Sequence, residues 1–311
     1  MGRTGGETLE DRLLERQELF SLLGDLPDFS VPIKSKLQSE ESHAGLRCQR
    51  WQIEFEGIEA VPILVTLPEG DGPFPVVLYN HAHGGNYAHG KEELLTGRAA
   101  ILNPPYGQVL ADLGIAAVAI DTFVFGERNH DNEAATFKRM LWNGQVMWGM
   151  MLFDNLRALD FIDEHPLLDH DRIATLGLSM GSTMAWWCAA LDDRIKVCID
   201  LCCLTDFHDL QETDGLNGHG VYYYIPNLLK EGWSTSRINA MIAPRARLAL
   251  AGDLDPLTPT VGLERIDKHL KEVYAAHGKS ECWKMLRYAD IGHIETSEMR
   301  SEVLAFLEKF L

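Results

Sequence analysis

Gly177-Leu178-Ser179-Met180-Gly181 sets a hydroxyl between two glycines, with the apolar run Ile173-Ala174-Thr175-Leu176 before it and the helix-compatible run 182–190 after it. On a sharp strand-to-helix turn such a serine projects out of the sheet, and the glycines let the backbone crowd closely enough to make the turn. A serine hydroxyl near neutral pH attacks a carbonyl poorly until a base removes its proton, and the base needs an acid to orient it. For a nucleophile so placed, the partners are expected later in the chain, acid first and histidine second, each just beyond a strand.

The acid is expected in Ala251-Gly252-Asp253-Leu254-Asp255-Pro256-Leu257-Thr258-Pro259. The spacing from glycine and the prolines that follow select Asp255, and Asp253 is expected to cap the turn through backbone N–H groups. The base is expected in Asp290-Ile291-Gly292-His293, between a final strand and a final helix, where the glycine leaves room for the imidazole of His293. His269 and His277 fall on a polar helix, His165 and His170 at a helix end, and His208 and His219 inside a long insertion.

A tetrahedral intermediate needs two donors aimed at its oxyanion. One is expected from the backbone N–H of Met180. The other is expected from the loop Asn80-His81-Ala82-His83-Gly84-Gly85-Asn86, at His83 or, as the alternative, Gly84. His81, His83 and His89 also suggest a metal set, but no acidic or cysteine ligand completes one. His81 is instead expected to be a buried structural residue, and neither metal nor cofactor is expected. Asp121 to Arg128 faces the same edge: Phe125 is a candidate for the pocket wall, and Glu127 and Arg128 are expected to brace the loop. Gly84, Trp142, Tyr223 and Trp233 complete the pocket candidates.

These groups must be carried by strands and helices in alternation. Leu9 to Leu23 reads as an amphipathic helix ending near Gly24, and the stretch to about Gly45 as irregular. Trp51 to Glu56 and Val61 to Leu67 read as strands, an antiparallel opening pair. A β-then-α rhythm follows, with strands at Val76–Tyr79, Ile115–Ile120, Ile173–Leu178, Val197–Leu201, Leu248–Ala251 and Trp283–Tyr288. One long helix is expected over Met140 to Glu164, with Trp142 near its start, and the last over Glu298 to Phe310. Strands separated by helices imply right-handed crossovers and a mainly parallel central sheet flanked by helices. Residues 205–243, with Tyr222-Tyr223-Tyr224 and Trp233, are too long for a simple connection and read as a cap-like insertion over the sheet edge. The expected organisation is an N-terminal helical extension over residues 1–45 and one α/β domain over residues 46–311.

The 311 residues carry 28 basic and 46 acidic side chains, a formal charge of −18. Such a surface repels phosphate backbones and anionic membranes, so neither nucleic acid nor membrane is an expected partner. The N-terminal residues lack the apolar core of a signal peptide, and no run reaches the roughly 20 apolar residues that span a bilayer. The 6 cysteines show no C-x-x-C spacing, and a reduced, cytoplasmic compartment is expected.

From about Val61 to its end the chain resembles the α/β-hydrolase superfamily, in particular the branch of dienelactone hydrolases and acetyl xylan esterases. The resemblance rests on residues 80–85, 121–128, 154–160, 177–181 and 252–259, and on Gly292-His293. It implies the α/β-hydrolase fold and a triad of Ser179, Asp255 and His293. True dienelactone hydrolases have a cysteine nucleophile; a serine at position 179 points to a cofactor-independent esterase acting on a small carboxylic ester. A peptidase or amidase using the same triad is the alternative, and a non-catalytic binding member of the fold is the alternative of another class. A homo-oligomer is compatible with the N-terminal helix.

Overall fold

The computed structural model describes residues 9–55 and 58–311. The described residues form one nine-stranded sheet from β1 (Lys34–His43), β2 (Leu46–Phe55), β3 (Ile58–Leu67), β4 (Phe74–Asn80), β5 (Ala116–Ile120), β6 (Leu168–Leu178), β7 (Ile195–Leu201), β8 (Ala246–Gly252) and β9 (Trp283–Tyr288). The spatial order is β1-β2-β3-β5-β4-β6-β7-β8-β9. The first three strands and the β3–β5 pair are antiparallel, and every pair from β5 to β9 is parallel.

The helices are α1 (Leu9–Ser21), α2 (Glu93–Thr96), α3 (Tyr106–Asp112), α4 (Glu133–Trp142), α5 (Met147–Glu164), α6 (Met180–Leu191), α7 (Phe207–Glu212), α8 (Thr235–Ala240), α9 (Thr260–Ala276) and α10 (Ser297–Phe310). None of the described helices is long and apolar enough to cross a membrane. The pleat of the central strands divides the core into two layers. Val76 and Leu78 of β4 enter one, and Val77 and Tyr79 the other; β5 likewise splits Val118 and Ile120 from Ala117 and Ala119. The first layer is closed by α5, α6 and α9, the second by α3 and α10. Strands covered on both faces read as unbroken apolar runs, which is why the central ones are visible in the sequence.

Three expectations are corrected. Residues 34–43, expected to be irregular, are strand β1, so the segment 1–45 holds sheet as well as helix. This edge strand is exposed along nearly its whole length, so it carries no apolar alternation; it is held by its ladder to β2 and by the ion pairs Glu40–Arg47 and Glu41–Arg50. Charges along an edge also discourage pairing with other chains. The helix expected over Met140–Glu164 is broken, because Gly144 takes φ 76° and Val146 is extended before α5 begins. The break is fastened to the segment after α1 by Asp25 N–H donating to Gly144 O at 2.9 Å, and a Cβ at Gly144 would lie 2.5 Å from Asp25 Oδ2. Trp142 therefore ends α4 with 92% of its surface exposed, and it is not a pocket residue.

Helix α1 lies on its own chain, with Leu19 and Leu23 buried, Arg16 paired with Asp193 and Glu15 with Arg237. Between β7 and β8, α7 and α8 are joined by short 3₁₀ turns, and this segment buries Tyr222 and Trp233. The ring of Tyr222 stacks on His83 at 5.4 Å, which brings the insertion onto the loop after β4.

Candidate active site

Ser179 joins β6 to α6 with φ 60° and ψ −122°, a conformation that costs a non-glycine residue on the order of 1–3 kcal/mol. The strain is imposed by close packing. A Cβ at Gly181 would lie 1.9 Å from Asn80 O, and one at Gly177 would lie 2.3 Å from the Gly181 carbonyl carbon. Both glycines are thus required for the turn to sit against the end of β4. Ser179 N–H donates to Leu201 O at 2.9 Å, which pins the turn to the end of β7.

Beyond the neighbouring strands, His293 Nδ1 stands 2.6 Å from Asp255 Oδ2. The Asp255 side chain is fully buried while His293 keeps 25% of its side-chain surface. Asp255 Oδ1 accepts the Leu257 N–H at 2.9 Å, so the carboxylate is held from behind while its other oxygen faces the imidazole. The carboxylate accepts from Nδ1–H, leaving Nε2 free to take a proton. The Leu201-Cys202 corner lies between this pair and the serine: Leu201 receives the Ser179 N–H, and Cys202 Sγ is 3.8 Å from Ile294 O, next to His293. Asp253 does not cap the turn. Its carboxylate pairs with Arg287 at 2.6 Å, and the side-chain bond to the turn belongs to Asp255.

The loop after β4 is shaped by acids that sequence reasoning missed. Glu93 of α2, wholly buried, accepts the Ala82 N–H on both oxygens at 3.2 Å and the Tyr79 hydroxyl at 2.7 Å, and pairs with Arg98. Burial pushes the Glu93 carboxyl up, against the pull of Arg98. Arg98 in turn donates to Ala82 O at 3.0 Å, and a Cβ at Gly84 would lie 2.0 Å from its guanidinium. The His83 ring meets Glu133 at 2.7 Å and accepts the Gly85 N–H at 3.0 Å. Among the described residues, no protein acceptor takes the N–H of His83 or of Met180. Met180 is the first residue of α6, where helix geometry leaves N–H groups pointing outward and favours negative charge.

His81, His83 and His89 each engage a different partner: His81 meets Thr122 Oγ1 at 3.0 Å, His83 meets Glu133, and His89 meets Gly97 O at 2.8 Å. Phe125 is fully buried among the rings of His81, His83 and Tyr87, behind the loop rather than open to a ligand. Glu127 pairs with the buried Lys91, and Arg128 with the buried Asp154 at 2.6 Å. Trp233 is buried beneath the Arg237 guanidinium, 3.8 Å from the ring centre. Tyr223, by contrast, lines a cavity beside α6, with its hydroxyl 3.3 Å from Thr183 Oγ1. His219 also lines it and donates from Nε2 to Leu257 O at 3.1 Å, on the loop that carries Asp255.

His81 has a consequence for acid stability. Burial pushes its imidazole from the ordinary 6.5 down to about 4, so it is neutral in the folded protein where an unfolded chain would protonate it. The unfolded state then binds more protons, and stability falls as pH drops from about 6.5 towards 4. The loss reaches ~3 kcal/mol for this group by pH 4. Urea unfolding of His81→Gln at pH 7 and pH 4 is expected to show a pH difference smaller by about that amount; an unchanged difference defeats the assignment.

The profile of the acetyl xylan esterase (AXE1) family matches residues 28–232, which include Ser179 and the His83 loop. The chain belongs to the acetyl xylan esterase (AXE1) family. As a member of that family it is a carboxylic-ester hydrolase of the α/β-hydrolase fold. "Putative hydrolase YtaP" of Bacillus subtilis (strain 168) is 44% identical over 301 residues, spanning 96% of this chain and 100% of that protein. A promiscuous CE15 esterase from a marine bacterial metagenome superposes with TM-score 0.72 at 16% identity, covering 97% of this chain and 92% of that one. A glucuronoyl esterase from Solibacter usitatus gives 0.71 at 14%, covering 96% and 93%. Acetyl xylan esterase from Paenibacillus sp. R4 gives 0.62 at 17%, covering 98% and 96%. The AXE1 match stops at residue 232, short of Asp255 and His293, whose pairing rests on the geometry.

Proposed function

We propose that this AXE1 family member hydrolyses its ester through a Ser179–His293–Asp255 triad and an acyl-enzyme intermediate. The observation that carries this reading is the 2.6 Å contact of His293 with a buried Asp255, one strand-end corner away from a serine held at positive φ. Ser179 Oγ attacks the ester carbonyl as His293 Nε2 takes its proton, and the carbonyl π electrons move onto oxygen. The N–H groups of Met180 and His83 receive that oxyanion, a service worth ~3 kcal/mol of barrier per donor. When the tetrahedral species collapses, the C–O bond to the alcohol breaks and His293 returns the proton to the leaving oxygen. Water then repeats the sequence on the acyl-serine, freeing the acid. Asp255 keeps Nδ1 protonated throughout and stabilises the imidazolium.

A fluorophosphonate probe tests the nucleophile directly. Peptide mapping of the labelled protein is expected to find one adduct, on Ser179, and no labelling of Ser179→Ala. Equal labelling of that variant, or an adduct on another residue, overturns the assignment.

A further inference from the structure

The His83 side chain is held more closely than packing alone requires. Tyr222 stacks on its ring at 5.4 Å, and Tyr87 and Phe125 meet it edge-on at 5.1 and 5.2 Å. The Gly85 N–H donates to Nδ1 at 3.0 Å. An amide N–H can only donate, so Nδ1 presents its lone pair and the ring hydrogen sits on Nε2. That hydrogen goes to Glu133 Oε2 at 2.7 Å, an oxygen that also accepts the Tyr87 hydroxyl at 3.3 Å. Glu133 is placed by the start of α4, where the Asn132 side chain accepts the Ala135 N–H at 2.8 Å and caps the first turn. The loop after β4 thus has two anchors with different tasks. Arg98 donates to Ala82 O, the carbonyl of the same peptide unit that carries the His83 N–H, and fixes one end of it. Glu133 fixes the other end through the His83 ring. The bond from Gly85 to that ring closes a turn through Gly84 at φ 50° and Gly85 at φ 68°.

We propose that Glu133 is a positioning residue for the hydrolysis: as acceptor of the His83 ring N–H, it keeps the loop after β4 in the arrangement that aims the His83 backbone N–H at the oxyanion. This rests on Ser179 being the nucleophile and His83 an oxyanion donor. Such a donor acts by direction as well as distance, because a hydrogen bond weakens steeply off line. Residue 133 must therefore offer an acceptor where Oε2 now lies. Glutamine can offer its amide oxygen there, and alanine offers nothing. Without that acceptor the ring hydrogen is free to shift to Nδ1. There it opposes the Gly85 N–H, the turn through Gly84 opens, and the peptide bearing the His83 N–H is held only at its Arg98 end.

The test is steady-state hydrolysis of p-nitrophenyl acetate by the intact protein, with rates normalised to the Ser179 that a fluorophosphonate labels to completion. Glu133→Ala is expected to lower kcat at least tenfold with KM within about threefold, part of the roughly 10²- to 10³-fold cost of losing a whole oxyanion donor. Glu133→Gln is expected to stay within about threefold of the unaltered protein, a rescue that a need for negative charge at this position would not give. His83→Phe keeps an aromatic ring and the backbone N–H but loses both ring nitrogens. Its expected loss matches that of Glu133→Ala, and it stands in should that variant lack a thermal unfolding transition. The double variant is expected to lose no more than either single one, because the two changes break the same contact. A smaller loss of kcat in folded Glu133→Ala, an effect on KM alone, a glutamine variant as impaired as the alanine one, or losses that multiply in the double variant overturns the positioning role and leaves the triad in place. Absence of turnover by the unaltered protein, or turnover that survives in Ser179→Ala, overturns the nucleophile instead.

Discussion

Ser179→Ala is expected to reduce kcat on p-nitrophenyl acetate by about 10⁴- to 10⁶-fold, with KM changed by no more than a few fold. The loss falls on kcat because the hydroxyl forms its bond only as the reaction proceeds, while the groups that hold the substrate stay in place. Residual hydrolysis would come from water attacking a carbonyl polarised by the N–H groups of Met180 and His83. The fold should persist. Alanine keeps the Cβ, and the positive φ is set by Gly177, Gly181 and the bond from position 179 to Leu201 O rather than by the hydroxyl. Steady-state rates paired with a thermal melt check both halves. Turnover within tenfold of the unaltered protein, with an intact melt, removes Ser179 from the mechanism.

Asp255→Asn is expected to cost about 10⁴-fold in kcat near neutral pH, for a reason specific to this loop. Oδ1 of Asp255 accepts the Leu257 N–H, so an asparagine must place its carbonyl oxygen there. Its NH₂ group then occupies the position of Oδ2, 2.6 Å from His293 Nδ1, and donates where the carboxylate had accepted. The imidazole is driven to the tautomer with hydrogen on Nε2, which cannot take a proton from Ser179. Asp253→Asn serves as the control, since that carboxylate pairs with Arg287 at 2.6 Å and does not face the imidazole. It is expected to retain activity within about threefold. Similar losses in the two variants, or a mild effect at position 255, would transfer the orienting role away from Asp255.

Catalytic candidates were legible where the signal is local. A serine between glycines, an aspartate after a strand and a histidine before the last helix are each marked by turn chemistry within a few residues. The central strands β4 to β8 were legible because burial on both faces leaves a plain apolar run. Strand β1 was not, since nearly all its side chains face water and its pairing is a matter of backbone ladder and cross-strand charge. The end of α4 was missed because apolar residues resume at Val146 directly after Asn143, Gly144 and Gln145; the left-handed turn at Gly144 ends the helix there, and Trp142 faces solvent. Among the pocket candidates, Phe125 and Trp233 lie in packed aromatic surroundings, and Tyr223 lines a cavity.

By itself, the sequence determined the order of strands β2 to β9 along the chain, the sharp turn at Ser179 and the two loops that carry Asp255 and His293, because these depend on periodicity and on glycine and proline placed a few residues away. Only the tertiary structure decided how the loop after β4 is held by Glu93, Arg98 and Glu133, that His219 bonds to the acid loop, and that the inserted segment closes a cavity of mixed polar and apolar lining beside α6. The contacts of Glu133 with His83 and of His219 with the Leu257 carbonyl join groups about 40 to 50 residues apart. Such pairings carry no period and no local motif; they arise when the folded sheet and its covering helices bring distant polar groups out of water and each must find a partner.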